Sequence, residues 1–318
     1  MNSTSESPYP LVAIVGPTAS GKSALGVRLA EQLGGEVVVC DSTQVYRRFD
    51  IGTGKVTAAE QRGIAHHLMD LFEPEEIFTA GEYRQRAMAV LEDLRARKQL
   101  PILTAGTGLY LRALLEGLAD APRRSEELRE RLRRSAEKHG AEWFHRVLAR
   151  LDAAAAERIA ARDTPKLIRA IEVCLLAGRP ISEVYRAGRP RLEGFAPIKV
   201  GLLPAREALY ARIEQRVEAM LAAGWLEEVR QRIAEGVPAT AKAFQFIGYR
   251  ELRAHLGGVV TLKQAVKATK QATRRYAKRQ ITWFRKEPGV RWFAGFGDDA
   301  ATAEAVLAYL NEQPALQG

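Results

Sequence analysis

No run of 18 apolar residues occurs in this 318-residue chain, so the sequence offers no helix that could cross a membrane. Cysteine is nearly absent. Cys40 and Cys174 stand far apart in apolar runs, which argues against a disulfide framework or a cysteine-bound zinc and suggests a cytosolic compartment. Met1 to Pro10 has neither a basic start nor an apolar core, so it does not read as a secretory signal; a frayed tail is expected there. His66 and His67 are neighbours in sequence and point in different directions, a poor arrangement for joint metal binding. A hydrogen-bonded strand or loop pair is expected instead. Internal repeats and low-complexity tracts are also missing. What is in excess is positive charge, a net +10. A nucleotide kinase does not need that excess, whereas an enzyme that binds a polyanion does. A hydrophobic share of 47% with 27% charged residues describes a soluble globular protein long enough for two domains.

The chain is organised around Gly16-Pro17-Thr18-Ala19-Ser20-Gly21-Lys22-Ser23, which fits the phosphate-binding loop G-x-x-x-x-G-K-[ST]. Leu11 to Val15 before it is an unbroken apolar run, suited to a buried parallel strand. After it, Leu25, Leu29 and Leu33 recur at helical spacing. Strand, loop and helix are the context the motif requires. The glycines let backbone N–H groups wrap an anion, the helix N-terminus adds partial positive charge, Lys22 adds a full one, and the Ser23 hydroxyl can ligate Mg²⁺. The loop alone does not say which phosphate it holds.

A second strand, Glu36 to Cys40, ends in Asp41-Ser42-Thr43-Gln44. In a parallel α/β sheet, ligands bind beyond the carboxyl ends of strands, so Asp41 is presented beside the phosphate loop as a Mg²⁺ ligand or general base. Gly52-Thr53-Gly54-Lys55 is a weak anion-binding signal. Thr79 with Glu82 predicts a capping box and a helix to Arg97. The strand Leu100 to Thr104 leads into Gly106-Thr107-Gly108, where backbone can approach a ligand. From Arg123 to Glu193 the patterns are helical, with Asp152 to Ala161 an alanine-rich helix. Another helix opens at Asp163-Thr164-Pro165, and Lys166 and Arg169 share a face at its start. Strand character returns at Pro197 to Leu203, so the helical segment reads as an insertion at 121–195 within a core formed by 1–120 and 196–318. Tyr210 to Ala234 predicts one long amphipathic helix, and Gln245 to Arg250 an aromatic and basic turn. Ten lysines and arginines lie between Lys263 and Arg291, with Tyr276, Trp283 and Phe284 among them; only Glu287 opposes them within that window. Such a face predicts a bound polyanion.

These motifs together resemble the bacterial tRNA isopentenyltransferase family. The resemblance rests on the phosphate loop, Asp41 to Tyr46, Ile51 to Lys55, His66-His67-Leu68, Gly106 to Tyr110, Arg169 to Glu172, Ile247 to Arg250 and Thr273 to Phe284, in that order. It implies a P-loop NTPase-like parallel sheet flanked by helices with an all-helical insertion domain. It also implies transfer of a dimethylallyl group from its diphosphate to N6 of the adenosine just 3′ of the anticodon, in tRNAs reading codons that begin with U. By resemblance, the catalytic residues are Asp41 as general base, Thr18, Thr107, Lys22 and Lys166, with the donor diphosphate on Gly16 to Ser23 and Mg²⁺ through Ser23. The tRNA is implied at Asp41, Ser42, Thr43, Gln44 and Thr107, at Arg129, and at Pro165, Lys166, Leu167, Ile168 and Arg169. Further tRNA contacts fall at Gln245, Phe246, Ile247, Gly248, Tyr249 and Arg250, and at Thr273, Arg274, Arg275, Lys278, Arg279 and Gln280. The expected partners are tRNA and dimethylallyl diphosphate, with no membrane, and the chain is expected to be a cytoplasmic monomer. Lys166 stands where the family usually has Arg, and keeps the charge without the bidentate fork. Ala65 and Ala105 replace a usual Pro and Gly. The chain has no cysteines for the zinc finger of eukaryotic relatives. Three other readings compete: a P-loop small-metabolite kinase, an adenylate isopentenyltransferase acting on free nucleotide, and a non-catalytic RNA-binding module. The first and second leave the basic terminal helix unexplained; the third leaves the phosphate loop without a task.

Overall fold

The computed structural model describes residues 7–186 and 190–317. The first part of the chain runs β1 (Tyr9–Val15), α1 (Lys22–Leu33), β2 (Gly35–Cys40), α2 (Ala58–Gln61), β3 (His66–His67), α3 (Ala80–Ala96), β4 (Leu100–Ala105) and α4 (Gly108–Leu115). Five helices follow: α5 (Glu126–His139), α6 (Ala141–Leu151), α7 (Ala153–Arg158), α8 (Thr164–Ala177) and α9 (Ile181–Arg186). The chain then returns through β5 (Phe195–Leu202), α10 (Arg206–Ala222), α11 (Trp225–Ala234), α12 (Tyr249–Leu256), α13 (Leu262–Phe284), β6 (Val290–Phe293) and α14 (Ala300–Asn311). Two compact units result, 116–192 and the remainder.

In the larger unit six parallel strands lie in the order β3-β2-β4-β1-β5-β6. The central strand β1 is buried from Leu11 to Val15, with Val12 opposite Ile102 on one side and Ile198 on the other. Leu25 and Leu29 of α1 and Val306 and Leu310 of α14 pack on the same core as Ile14, Val37 and Val200. Each such side chain removed from water contributes about 1.5–3 kcal/mol. This strand order sets the carboxyl ends of β2, β4 and β1 side by side. The phosphate loop, Asp41 and Gly106-Thr107 follow those three ends, with the Gly106 loop in the middle.

The smaller unit has its own core, including Phe144, Leu148, Leu167, Ile171 and Val184. Glu172 is buried within it. Its carboxylate accepts from Arg129 Nε (2.9 Å), from Arg169 Nη1 (2.6 Å) and from the Ser125 amide (2.9 Å). Burial opposes its ionisation, but the hydrogen bonds from Arg129 and Arg169 win and hold it at about 2.

Several boundaries differ from the sequence reading. Tyr9 and Pro10, expected in a frayed tail, open β1: the Tyr9 amide donates to Gly194 O (2.8 Å) and its ring meets Phe195 edge-on. Residues 1–6 of that tail lie outside the described residues. The single long helix over 210–234 is two, because Gly224 takes a left-handed φ of 98° that ends α10 and turns the chain into α11. The alanine-rich helix is shorter than expected, and Asp152 is its N-cap: Oδ1 accepts from the Ala155 amide while Oδ2 accepts from the Ser182 amide. The capping box of Thr79 with Glu82 and the start of α8 at Asp163 and Pro165 form as expected.

Candidate active site

The phosphate loop leaves β1 and enters α1 through Gly21, whose φ of 85° is left-handed. Lys22 folds back so that its ammonium donates to the Pro17 carbonyl at 2.7 Å. Burial lowers its pKa to about 8; Asp41 pulls it up and Arg216 pushes it down. Lys22, Asp41 and Arg216 therefore share one electrostatic neighbourhood at the carboxyl edge of the sheet. The loop's outer side is covered by the segment after β6: the Gly297 amide donates to Ser20 O at 2.9 Å, and Asp298 lies close against Gly21. Arg212 forks onto Asp298, which neutralises a carboxylate at the edge of an anion site.

Asp41 is braced from its own side. Its Oδ1 accepts from the Thr43 amide (2.8 Å) and the Thr43 hydroxyl (2.6 Å). Its Oδ2 faces Gly106, so closely that a methyl group on Gly106 would sit 2.6 Å away. The amides of Gly106 and Thr107 both donate to Cys40 O at 3.1 Å, and Thr107 Oγ1 accepts from the Ser42 amide at the same distance. The ends of β2 and β4 are thereby tied together, and Asp41 Oδ2 has no hydrogen-bond partner among the described residues.

Arg216 of α10 was invisible in the sequence reading. Its guanidinium lies against Gly54, and no carboxylate pairs with it among the described residues. The available signal was the like-charge spacing of Arg212 and Arg216, four apart on one helix. In sequence Tyr276 is only an aromatic among cations. Its hydroxyl lies 3.4 Å from Gly106 O, on the loop that Asp41 Oδ2 faces, and burial, with Asp41 adding to it, raises its pKa beyond the usual tyrosine range. Gln280 was expected on RNA, yet it is buried: Oε1 accepts from the Thr18 amide at 2.7 Å and Nε2 donates to Gly106 O at 2.8 Å.

Other expected contacts are put to internal use. Gly248 and Tyr249 are buried, and the Tyr249 hydroxyl accepts from the Gly52 amide at 3.0 Å while donating to Glu228. Phe246 tilts against Tyr46, and Ile247 is half-buried. Gln245 and Arg250 are exposed. Lys55 is enclosed by Asp50, Asp70 and the Tyr46 carbonyl, which removes it as an anion ligand. His66 and His67 form the short edge strand β3, and His67 meets Glu36 at 2.6 Å. In the smaller unit Leu167 and Ile168 belong to the core, Arg129 and Arg169 are committed to Glu172, and Pro165 and Lys166 are exposed, Lys166 beside Asp163.

Helix α13 carries the basic face. Lys263, Lys267, Arg275, Lys278 and Arg279 are exposed. Lys270 and Arg274 pair with Glu218 and Glu214 of α10, so the sequence window around α13 understated the opposing charge. No group of three or more His, Cys, Asp or Glu suited to a resident metal occurs among the described residues. Hard-oxygen donors at the loop include the hydroxyls of Ser23, at the first turn of α1, and of Ser20, whose Oγ is buried without a partner. That set suits Mg²⁺ shared with a bound diphosphate rather than a protein cage. No helix among the described residues is long and apolar enough to cross a membrane.

A family model described as IPP transferase matches residues 44–287. A tRNA dimethylallyltransferase of Solibacter usitatus is 49% identical over 299 residues, covering 94% of this chain and 97% of that protein. One of Koribacter versatilis is 50% identical over 295 residues, covering 92% and 94%. Among solved structures, a tRNA isopentenylpyrophosphate transferase of Bacillus halodurans superposes with a TM-score of 0.72 at 34% identity, covering 98% of this chain and 97% of that one. A eukaryotic dimethylallyltransferase acting on tRNA superposes with a TM-score of 0.82 at 26% identity, covering 96% and 79%. The chain belongs to the IPP transferase family.

Proposed function

We propose that this protein transfers the dimethylallyl group of dimethylallyl diphosphate to N6 of the adenosine 3′-adjacent to the anticodon, in tRNAs reading codons that begin with U. The observation that carries this reading is the phosphate loop with Lys22 beside the Asp41 carboxylate and Arg216 in one electrostatic neighbourhood, together with a helix that has an exposed cationic face. Cations and carboxylate have different tasks. The bond from the allyl C1 to the diphosphate oxygen breaks, and the bond from C1 to N6 forms. Negative charge grows on the leaving oxygen, where the Lys22 ammonium, the Arg216 guanidinium and the loop amides stabilise it. Ser23 would help to hold Mg²⁺, which would supply further charge neutralisation. An adenine amino group is a weak nucleophile because its lone pair is delocalised into the ring, so it must lose a proton as the bond forms. Asp41 Oδ2 accepts that proton, while Thr43 keeps Oδ1 turned away. The adenosine leaves its stack to reach this edge. The exposed cations of α13 hold the stem by its phosphates.

The test supplies labelled dimethylallyl diphosphate and Mg²⁺ with an anticodon stem-loop in one tube and AMP in another. Label on the stem-loop alone supports the reading. Label on AMP alone moves the protein to free-nucleotide transfer, and label on neither refutes prenyl transfer. Asp41→Ala is expected to lower kcat by about 10²–10⁴-fold with RNA binding retained; unchanged turnover would remove Asp41 as the base.

A further inference from the structure

One peptide unit of the phosphate loop is held from both ends. Lys22 donates to the Pro17 carbonyl, and the amide of the same peptide, that of Thr18, donates to Gln280 Oε1. Gln280 then donates through Nε2 to Gly106 O, on the loop that faces Asp41. The Tyr276 hydroxyl approaches the same Gly106 oxygen at 3.4 Å. A continuous line of hydrogen bonds thus joins the donor loop, α13 and the loop beside the base. On α13 the buried face is Ala277, Gln280 and Phe284, while Arg275, Lys278 and Arg279 are exposed.

We infer that Gln280 is a positioning residue that couples RNA docking on α13 to the donor site, so that a bound stem-loop raises affinity for the diphosphate. This inference rests on the function proposed above. The reasoning is physical. A bound diphosphate draws the Lys22 ammonium away from the Pro17 carbonyl. Gln280 is then the side chain that still fixes the orientation of the Pro17–Thr18 peptide. A helix fixed by RNA phosphates holds Gln280 in place before the donor arrives, so the loop loses less freedom on binding, and the two ligands favour each other. A glutamine suits this place because it accepts from one loop and donates to the other. Glutamate keeps the acceptor and loses the donor; alanine loses both.

The experiment measures affinity for inorganic pyrophosphate with Mg²⁺ by calorimetry, with and without an anticodon stem-loop, in the wild type, Gln280→Ala and Gln280→Glu. The wild type is expected to bind pyrophosphate about 5-fold tighter or more with the stem-loop present. Gln280→Ala is expected to lose that enhancement while its affinity for the stem-loop alone stays within about 2-fold, and Gln280→Glu to retain part of it. In turnover, Gln280→Ala should raise KM for the donor more than it lowers kcat. Amide hydrogen exchange in the wild type gives a readout independent of any variant's folding: the Thr18 amide should become better protected when the stem-loop binds. Equal coupling in wild type and Gln280→Ala, or no coupling and no added Thr18 protection in the wild type, overturns the inference. Transfer to the stem-loop with coupling absent would fail this inference alone. Coupling present without transfer would fail the proposed reaction and leave Gln280 as the link between the two sites.

Discussion

Asp41 Oδ2 and the backbone of Gly106 are in such close approach that a single methyl group on Gly106 would lie 2.6 Å from the carboxylate oxygen. The backbone of Gly106 is not in the left-handed region, so alanine adds contact without backbone strain. The other side chain near that methyl group is the Gln280 amide, at 3.8 Å. Gly106→Ala should therefore push Asp41 out of line and leave the fold intact. A displacement of about 1 Å costs up to about 10²-fold in rate. The expected result is a fall in kcat of about 10–100-fold, with KM for the stem-loop within about 2-fold of the wild type. Wild-type kcat in Gly106→Ala would show that the position of Asp41 is not critical.

Lys22 gives a pH dependence with a defined sign. Its pKa is lowered to about 8, burial being the main cause, so the free enzyme loses the ammonium as pH rises through that value. Donor kcat/KM should fall above about pH 8, approaching tenfold per pH unit. Lys22→Arg keeps its charge throughout and should lose that descending limb, even if its overall rate is lower. A limb that persists near pH 8 in the variant belongs to another group. The same shift has a stability consequence. Between about 8 and 10.5 the unfolded chain holds a proton at Lys22 that the folded chain has lost, so stability should rise with pH across that window. At pH 7 the charge opposes folding, and Lys22→Met should stabilise the ligand-free protein by about 1–2 kcal/mol after allowing for the water that still reaches the side chain. Denaturant titration checks this; a destabilised variant would mean that the bond to Pro17 O outweighs burial.

The elements legible in sequence were those governed by neighbours in the chain. The strand, loop and helix around Lys22 follow from an apolar run, a glycine-rich turn and a helical repeat. Thr79 with Glu82, and Asp163 with Pro165, announce helix starts through bonds spanning three residues. Asp41 could be placed because a strand of Val37, Val38 and Val39 can only end beside its parallel neighbours. What could not be read depended on partners far along the chain. Arg216 is about 160 residues from Gly54, and nothing local separates it from any other cation on an amphipathic helix. Gln280 reads as an RNA contact on a basic helix, whereas the fold brings Thr18 and Gly106 to its amide. Gly224 breaks a helix inside an apolar pattern that continues on both sides, so the period alone could not find the break.

Glu172 ties Arg129 and Arg169 to the core of the smaller unit. Its carboxyl is held at about 2 against an ordinary 4.5, so the stabilisation is fully present above about pH 4.5 and lost as pH falls toward 2. A shift of that size corresponds to about 3 kcal/mol. Glu172→Gln keeps the shape, leaves Arg129 and Arg169 without their shared charge, and should cost about 2–4 kcal/mol. Trp143 is the one tryptophan of the smaller unit, which makes its emission a local reporter. The wild-type transition should steepen between pH 4.5 and 2, and the variant should be less stable at pH 7 with a flatter acid limb. Coincident acid transitions would mean that the ion cluster contributes nothing net.

The basic face of α13 should be measurable as a salt slope. A cation that neutralises one RNA phosphate contributes a slope of about 0.7–1 in log affinity against log salt. Lys278 is exposed, so Lys278→Ala should lower the stem-loop slope by about that amount and leave pyrophosphate binding unchanged. Lys270 and Arg274 differ because Glu218 and Glu214 already hold them. While those pairs persist, a phosphate must compete with a carboxylate for each cation. Glu214→Gln with Glu218→Gln should free both cations, steepen the slope by about 1–2 and tighten binding at low salt by several-fold. The gain should extend to unrelated RNA, because released phosphate contacts carry no sequence information. Unchanged slopes in the double variant would mean that α10 shields these cations by position, with RNA docking confined to the outer residues from Arg275 to Arg279.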